Sequence, residues 1–199
     1  MGFDLKRELE REGIFLEESF FRCSEIFAKE LLNYSKTHNI TALDSIEEIY
    51  ENIFDSIYPL KFLGSLKSLL DIGTGAGFPG LVLSFALRES EVFLSEPIMK
   101  RSAFLYLIKI KCSLDNVKIL NKRVEQIEPF FVDLITSRAV TDTKRLLELG
   151  RAFCKEDTLF LFYKGEGIES EKEFLKNIDH RIYKRDKRRY LIIKGCYDF

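Results

Sequence analysis

An acidic residue followed by three glycines at alternate positions is the part of this sequence best suited to chemistry. The acid is Asp71, and the glycines are Gly73, Gly75 and Gly77. A short apolar run precedes them and the apolar-rich residues 81–87 follow, an order that indicates strand, tight turn and helix. Glycine lets the backbone approach a ligand closely, and the helix N-terminus offers free N–H groups. We therefore expect a ligand with polar or anionic groups to bind at this turn.

Two classes of cofactor bind such a turn. A dinucleotide enzyme has the pattern Gly-x-Gly-x-x-Gly directly after its strand. Residues 75–80 match those letters, but the match begins two residues late, after Gly73 and Thr74. Counted from Gly73, an acid on the strand followed by alternate glycines is typical of S-adenosylmethionine-dependent methyltransferases. A turn that binds no ligand is the third possibility.

A second acid follows the next predicted strand. Glu96 comes 19 residues after Gly77, and Pro97 then ends the strand. An acid at this offset can accept hydrogen bonds from both ribose hydroxyls of an adenosine cofactor. The alternative is an exposed carboxylate at a strand end. We expect Glu96 to bind the ribose, because Pro97 fixes the turn that follows it.

The elements that position these residues alternate between strand and helix from residue 66 onward. Strands are predicted over residues 69–72, 91–96, 117–120, 132–136, 158–163, 181–184 and 190–194, and helices over 81–87, 100–111, 146–153 and 170–177. Such alternation implies a mostly parallel sheet with helices on both faces, an α/β fold. Ligands of these sheets bind beyond the carboxyl ends of the strands.

The first part of the chain has a different pattern. Apolar residues recur there at helical spacing, which predicts two helices interrupted near Gly13 and a third that runs to about Phe54. Pro59 and Gly64 mark the crossing into the alternating part. We therefore predict a small helical extension over residues 1–65 and one main domain over residues 66–199.

Composition excludes several classes of protein. Residues 1–65 carry 13 acidic and 7 basic side chains, and residues 66–199 carry 24 basic and 19 acidic ones, so a basic partner surface belongs to the second part. No apolar run reaches membrane-spanning length, and the N-terminus has no signal-peptide core. The four cysteines are far apart and predict reduced thiols in a cytoplasmic protein. The two histidines have no metal-ligand spacing and predict neither a metal site nor a Ser-His-Asp device.

Several short segments together resemble one known family in order and spacing. They are Asn39-Ile40-Thr41-Ala42, Asp55-Ser56, residues 71–80 with their Phe-Pro-Gly ending, Lys100-Arg101 with Phe104-Leu105, Asn116-Val117, Arg123-Val124-Glu125, Thr136-Ser137-Arg138-Ala139 and Lys164-Gly165. The sequence is similar to the RsmG (GidB) family of 16S ribosomal RNA guanine-N7 methyltransferases over roughly residues 30–195.

This resemblance implies a class I, Rossmann-like methyltransferase fold with a seven-stranded sheet and S-adenosylmethionine as cofactor. It also implies a monomer that acts on a specific guanosine of 16S ribosomal RNA or the small subunit. Five residues fall where the family contacts the cofactor: Gly73, Phe78, Val124, Glu125 and Arg138. With the residues of the acid-and-glycine pattern, the predicted cofactor site is Asp71, Gly73, Gly75, Gly77, Phe78, Glu96, Val124, Glu125 and Arg138.

Two positions depart from the family. Asn52 stands where the family usually has His before the Asp-Ser pair, which puts any role assigned to that helix in doubt. The second strand usually ends in Asp-Ser, whereas here it ends in Glu96-Pro97. The longer acid keeps the ribose role possible.

The chemistry implied by the resemblance needs no base. Guanine N7 has a free lone pair and no proton, and the sulfonium methyl group is already activated, so transfer depends on proximity and orientation. Arginine can donate to guanine O6 without blocking N7. Arg138, Arg123 and Lys164 are the candidates for positioning the base or its phosphates. The alternative for Arg138 is a salt bridge at the end of a strand.

A basic segment near the end of the chain suits RNA. Residues 181–194 hold seven Lys or Arg and one acid, with Tyr183 and Tyr190 between them. We predict RNA contacts by Arg185, Arg188 and Arg189, extended by Lys100 and Arg101. A solvated turn is the alternative for this segment.

Two rival functions stay open at this point. The shifted glycine match fits an NAD-dependent oxidoreductase, although no convincing proton donor accompanies it. A non-catalytic RNA-binding module on a methyltransferase fold would keep the basic segment and transfer nothing. The glycines and Glu96 argue against this second rival.

Overall fold

The computed structural model describes residues 2–138 and 141–197. The α-helices are α1 (Leu5–Arg11), α2 (Glu18–His38), α3 (Ile46–Ile57), α4 (Gly80–Ala86), α5 (Met99–Lys111), α6 (Thr143–Gly150) and α7 (Lys172–Leu175). The strands are β1 (Ser68–Ile72), β2 (Glu91–Ser95), β3 (Val117–Leu120), β4 (Leu134–Arg138), β5 (Leu159–Lys164), β6 (His180–Arg185) and β7 (Arg188–Lys194). Short 3-10 segments lie at Tyr58–Phe62, Val124–Gln126, Arg151–Phe153 and Glu166–Glu171.

Within the described residues, seven strands form one sheet in the order β3-β2-β1-β4-β5-β7-β6. The pairs from β3 to β5 are parallel, and β7 pairs antiparallel with β5 and β6. The mostly parallel seven-stranded sheet predicted from the sequence is confirmed. The strand order reverses between β1 and β4, and sheets of this kind bind ligands in the crevice beyond that point.

Strand β1 is apolar because neighbours cover it on every side. Leu69 and Leu70 are fully buried, and β2 and β4 pair with its two edges. Central parallel strands bury both faces and therefore read as continuous apolar runs. Asp71 is also fully buried in this strand, and it stands out as the charged exception.

The helices that precede the sheet pack against it. Phe27 of α2 contacts Phe85 of α4, and it also contacts Phe78 beside the glycine turn. Side chains of these helices and of the sheet belong to one apolar cluster. Among the described residues, no helix is long and apolar enough to cross a membrane. The predicted division at residue 65 stays a prediction.

The boundaries of β4 differ from the prediction. The strand begins and ends two residues later than the predicted segment 132–136, because residues 137 and 138 continue the pairing with β5. Ser137 and Arg138 therefore lie within the strand rather than past its end. Ala139, which belongs to the same predicted motif, lies outside the described residues.

The last two predicted helices also differ. The helix predicted over residues 146–153 is α6, which begins earlier because Asp142 caps it by accepting a hydrogen bond from the Arg145 N–H at 2.9 Å. The helix predicted over residues 170–177 is shorter in the structure, because only α7 is α-helical there and residues 170 and 171 belong to the 3-10 segment Glu166–Glu171. Gly167 lowers the helix propensity of that preceding segment.

The prediction of four reduced thiols is wrong for one pair. Cys154 and Cys196 form a disulfide with a Cα–Cα distance of 6.0 Å. They flank β5 and β7, which are neighbours in the sheet, and a separation of 42 residues gives no hint of this pairing. Cys23 and Cys112 are free and buried. Within the described part of the chain, no group of three or more His, Cys, Asp or Glu could hold a metal ion.

Candidate active site

The glycine turn joins the carboxyl end of β1 to the N-terminus of α4. Gly73, Gly75 and Gly77 all have positive φ angles, and that of Gly75 is 61°. Residues with a Cβ rarely adopt this conformation, so the turn requires glycine there. Gly80 is needed for a different reason, because an added Cβ would lie 2.4 Å from the Cβ of Asp71. The turn and the start of α4 are therefore packed directly on β1.

Asp71 lies beneath this turn. Its Oδ2 accepts a hydrogen bond from the N–H of Gly80 at 2.8 Å. Burial raises the pKa of the Asp71 carboxyl group to about 6, although the hydrogen bond from Gly80 favours the charged form. The side chain holds the start of α4 against β1. Its predicted contact with the cofactor stays a prediction.

A cleft of about 580 Å³ opens beyond the carboxyl ends of β1 and β4. This volume is typical of small-molecule sites. The cleft brings together seven residues predicted from the sequence: Gly73, Gly75, Phe78, Glu96, Arg101, Arg123 and Arg138. Its remaining wall is formed by Ile40, Thr41, Thr74, Ala76, Pro97 and Ile98. The two parts of the chain thus meet at this cleft.

Glu96 follows β2 and is almost fully buried at one side of the cleft. Its Oε2 accepts a hydrogen bond from the N–H of Gly75 at 2.9 Å, and its Oε1 accepts one from the N–H of Ile98 at 2.8 Å. The Arg101 guanidinium lies 3.9 Å from Oε2. A carboxylate held against the glycine turn is suitably placed for ribose hydroxyls. That role stays a prediction.

Arg138 is the last residue of β4 and lines the same cleft. Its Nη1 donates to Oδ1 of Asn52 at 2.9 Å and lies 3.4 Å from Oδ2 of Asp55. Its guanidinium lies 4.7 Å from the ring centre of Phe78. Burial lowers the pKa of Arg138, and the charge of Asp55 opposes that shift. The salt bridge considered as an alternative is therefore present, on a side chain that also faces the cleft.

The residues after β3 are only partly at the cleft. Arg123 lines it, whereas Val124 and Glu125 begin the following 3-10 segment and do not. Val124 is buried, and Glu125 pairs with Arg145 at 3.2 Å. Their predicted contact with an adenine ring stays a prediction.

Lys164 lies at the end of β5, outside the lining of the cleft. Its Nζ pairs with Glu171 at 3.0 Å, and its side chain is largely buried. Glu171 also accepts a hydrogen bond from the N–H of Thr143 at 3.0 Å. Lys164 thus joins β5 to α6, and its proposed contact with the substrate stays a prediction.

The arginines of the β6–β7 hairpin fold back onto α3. Arg188 pairs with Asp55 at 3.2 Å, and the guanidinium of Arg185 lies 4.2 Å from the ring centre of Phe54. Arg189 donates to backbone carbonyl groups of the hairpin itself. Two of these contacts connect the hairpin to α3. RNA binding by its arginines stays a prediction.

Lys100 precedes Arg101 in the chain, but its side chain contacts the C-terminal end of α2. Its Nζ donates to the backbone carbonyls of His38 and Asn39 at 2.8 and 3.3 Å. A cation is favourable at a helix C-terminus, so this contact stabilises α2. Arg101, its neighbour, lines the cleft. Their predicted RNA contacts stay predictions.

Sequence reasoning assigned no role to Asn52 or Asp55, although both contact Arg138. The signal that could have found them is their spacing. Residues three apart lie on one face of a helix, so Asn52 and Asp55 can contact the same partner. Ile40 and Thr41 also line the cleft, within a segment quoted only for its resemblance to the family.

Known proteins match this chain over most of its length. A family model described as rRNA small subunit methyltransferase G matches residues 22–190. The chain belongs to the GidB family. A relative from Aliarcobacter butzleri, named ribosomal RNA small subunit methyltransferase G, is 44% identical over 191 residues, which cover 96% of this chain and 98% of the relative. A relative of the same name from Wolinella succinogenes is 41% identical with the same coverage.

Solved structures agree with the fold. A methyltransferase from Aquifex aeolicus, titled as SAM dependent, has a TM-score of 0.57 at 18% identity. The matched region covers 72% of this chain and 90% of the Aquifex chain. A structure of MtNAS in complex with S-adenosylmethionine has a TM-score of 0.61 at 12% identity. The matched region covers 88% of this chain and 73% of the MtNAS chain. At such low identity these similarities show the fold alone.

Membership of the GidB family confirms the family and the class I methyltransferase fold predicted from the sequence. It also confirms the predicted enzyme class and cofactor, S-adenosylmethionine-dependent methylation of small-subunit ribosomal RNA. The alternative of an NAD-dependent oxidoreductase is therefore wrong.

Proposed function

We propose that this GidB-family protein transfers the methyl group of S-adenosylmethionine to N7 of one specific guanosine in 16S ribosomal RNA. The observation that carries the proposal is the cleft at the point where the strand order reverses. The glycine turn, Glu96 and Arg138 meet there. We assign the nucleoside cofactor to the turn and Glu96, and the purine base to Arg138 beside them.

The residues of the cleft fit the cofactor. Glu96 is a buried carboxylate at hydrogen-bond distance from the glycine turn, and its oxygens have lone pairs left to accept hydrogen bonds from ribose hydroxyls. The positive φ of Gly75 favours glycine, which has no side chain to occupy the cleft at that point. We assign the ribose to Glu96 and other parts of the cofactor to the turn, Phe78, Val124, Glu125 and Arg138, as the resemblance implies. When bound, S-adenosylmethionine supplies an activated methyl group on a sulfonium centre.

Positioning is the main task of this chain's own side chains. N7 carries no proton, so no residue has to remove one. The Arg138 guanidinium can donate to O6 of the guanine, which orients the base and leaves the N7 lone pair free. Arg123 lines the same cleft and is the second cation available to the base or to a phosphate.

Substrate RNA must reach the cleft across basic surface. We infer that Arg185, Arg188 and Arg189 provide part of it, together with Lys100 and Arg101. Exposed cations next to a cleft attract phosphates and release counterions from the RNA. We also infer that the protein acts in the cytoplasm as a monomer on the small subunit.

Methyl transfer to small ribosomal subunits tests the proposed function. Subunits whose RNA lacks the modification are incubated with S-adenosylmethionine carrying a labelled methyl group, and the RNA is then digested and its bases identified. We expect label in 7-methylguanosine at a single site. Subunits that already carry the modification are the matched control and should take up no label.

Other outcomes identify the rival functions. Label in another base would contradict the assignment of N7. Binding of S-adenosylmethionine without any transfer would favour the non-catalytic RNA-binding module.

A further inference from the structure

The carboxylate of Asp55 joins three elements of the molecule. This residue of α3 is 4% exposed. Its Oδ2 lies 3.4 Å from Nη1 of Arg138, on β4, and 3.2 Å from Nε of Arg188, on β7. Its Oδ1 accepts a hydrogen bond from the hydroxyl of Tyr190 at 2.8 Å. One buried carboxylate therefore faces two guanidinium groups, and its position is fixed from three directions.

Asn52 holds the same arginine from one helical turn earlier. Its Oδ1 accepts the hydrogen bond from Nη1 of Arg138 at 2.9 Å. Its Nδ2 donates to the backbone carbonyl of Glu48 at 2.8 Å, so the orientation of the amide is defined. Asn52 and Asp55 share one face of α3. The helix thus presents two acceptors to the end of β4.

These contacts determine which way the guanidinium points. An arginine has several rotatable bonds, and directing its hydrogen bonds costs conformational entropy unless neighbours hold the side chain. The Phe78 ring lies against the Arg138 guanidinium, and α3 holds Nη1. Both contacts from α3 are made to Nη1, and Arg138 itself lines the cleft.

We propose that Asp55 and Asn52 are positioning residues for methyl transfer, which hold Arg138 in the orientation that it needs to bind the target guanine. The proposal rests on the proposed function. Neither residue lines the cleft, so both act through Arg138. The helices before the sheet thereby supply part of the active-site geometry.

A double-mutant cycle tests this role. Asp55→Asn and Asn52→Ala are each made in the wild-type protein and in an Arg138→Gln background. The kcat/KM for unmodified small subunits is measured at saturating S-adenosylmethionine. We expect each substitution to lower kcat/KM by about tenfold in the wild-type protein and by less than about twofold when Arg138 is already Gln. Melting temperature is measured for every variant, to correct for the folded fraction.

The cycle includes a matched control and a second variant. Glu51→Gln makes the same kind of change, carboxylate to amide, at an exposed position on the same helix, and kcat/KM should not change. Asn52→Ala removes a half-buried side chain rather than a buried charge, so it tests the proposal even where Asp55→Asn fails to fold.

Three outcomes separate this inference from the proposed function. Losses confined to proteins that contain Arg138 support the positioning role. Equal losses in both backgrounds, or no loss in either, overturn it and leave Asp55 and Asn52 as structural residues. If the wild-type protein labels no subunits, the proposed function fails, and the inference that rests on it fails too.

Discussion

Asp71 supports the active site from a buried position. Its carboxyl group accepts the N–H of Gly80 beneath the glycine turn. The acid is recognisable in the sequence because it interrupts an apolar strand just before the glycines. Its burial could not be read in the same way, because it depends on packing between β1 and α4. The pattern thus locates the residue, and the fold determines its surroundings.

The raised pKa of Asp71 predicts a pH dependence of stability. Burial favours the neutral form, so the folded state binds this proton more tightly than the unfolded state. The contribution is complete below the unfolded pKa and is lost as the pH rises through about 6. In Asp71→Asn this dependence is absent. We expect the free energy of unfolding of the wild type, relative to the variant, to fall by up to about 3 kcal/mol from about pH 4 to about pH 6.5.

Urea unfolding of both proteins across this pH range measures the difference. Asp133→Asn is a useful comparison, because the ion pair with Lys155 lowers the pKa of Asp133 and reverses the sign. A difference between wild type and Asp71→Asn that stays constant with pH would contradict the account.

The contacts of Asn52 and Asp55 could not be predicted from the sequence pattern around them. Their contacts with Arg138 join residues 86 and 83 positions apart in the chain. Spacing places them on one face of a helix but cannot name the partner of that face. The glycine turn is local, by contrast, and its residue types alone indicate its conformation.

At the scale of elements, the β6–β7 hairpin combines structural and predicted RNA-binding roles. Its position beside β5 makes the edge of the sheet antiparallel, and Arg188 and Tyr190 both reach Asp55 on α3. The basic composition of this segment is visible in the sequence. Its packing against α3 is not, because it requires the complete sheet order.

Neutralising Arg185, Arg188 and Arg189 together should weaken RNA binding. The slope of log affinity against log salt should become shallower by about 0.7 to 0.9 for each phosphate that the variant no longer neutralises. Fluorescence anisotropy with a fragment of 16S RNA, measured at several salt concentrations, gives both quantities. Part of the effect is structural, since Arg188 pairs with buried Asp55, so melting temperature must be measured as well.

The control for the hairpin neutralises three lysines elsewhere. Lys6, Lys29 and Lys118 form ion pairs on other surfaces, and replacing them changes the net charge by the same amount. We expect a smaller change in slope for this control. Equal slopes for the hairpin variant and the wild type would contradict RNA binding by these three arginines and would favour a solvated turn.

At the scale of the whole molecule, residues from both 1–65 and 66–199 line one cleft. Ile40 and Thr41 reach its wall from the segment after α2, and Arg138 is held by α3. The class of fold could be predicted because strands and helices alternate and because the motifs occur in the family's order. Strand pairing at the antiparallel edge and the Cys154–Cys196 disulfide depend on long-range contacts, which the sequence pattern does not contain.

The central claim is that this protein methylates N7 by positioning, without proton transfer. The most direct test is the single-turnover rate of methyl transfer to unmodified small subunits as a function of pH. Because N7 has no proton and no side chain acts as a base, we predict a rate that is constant within about twofold from about pH 7 to about pH 8.5. A rate that rises about tenfold per pH unit, with a plateau above one pKa, would show that a base takes part and would contradict the account.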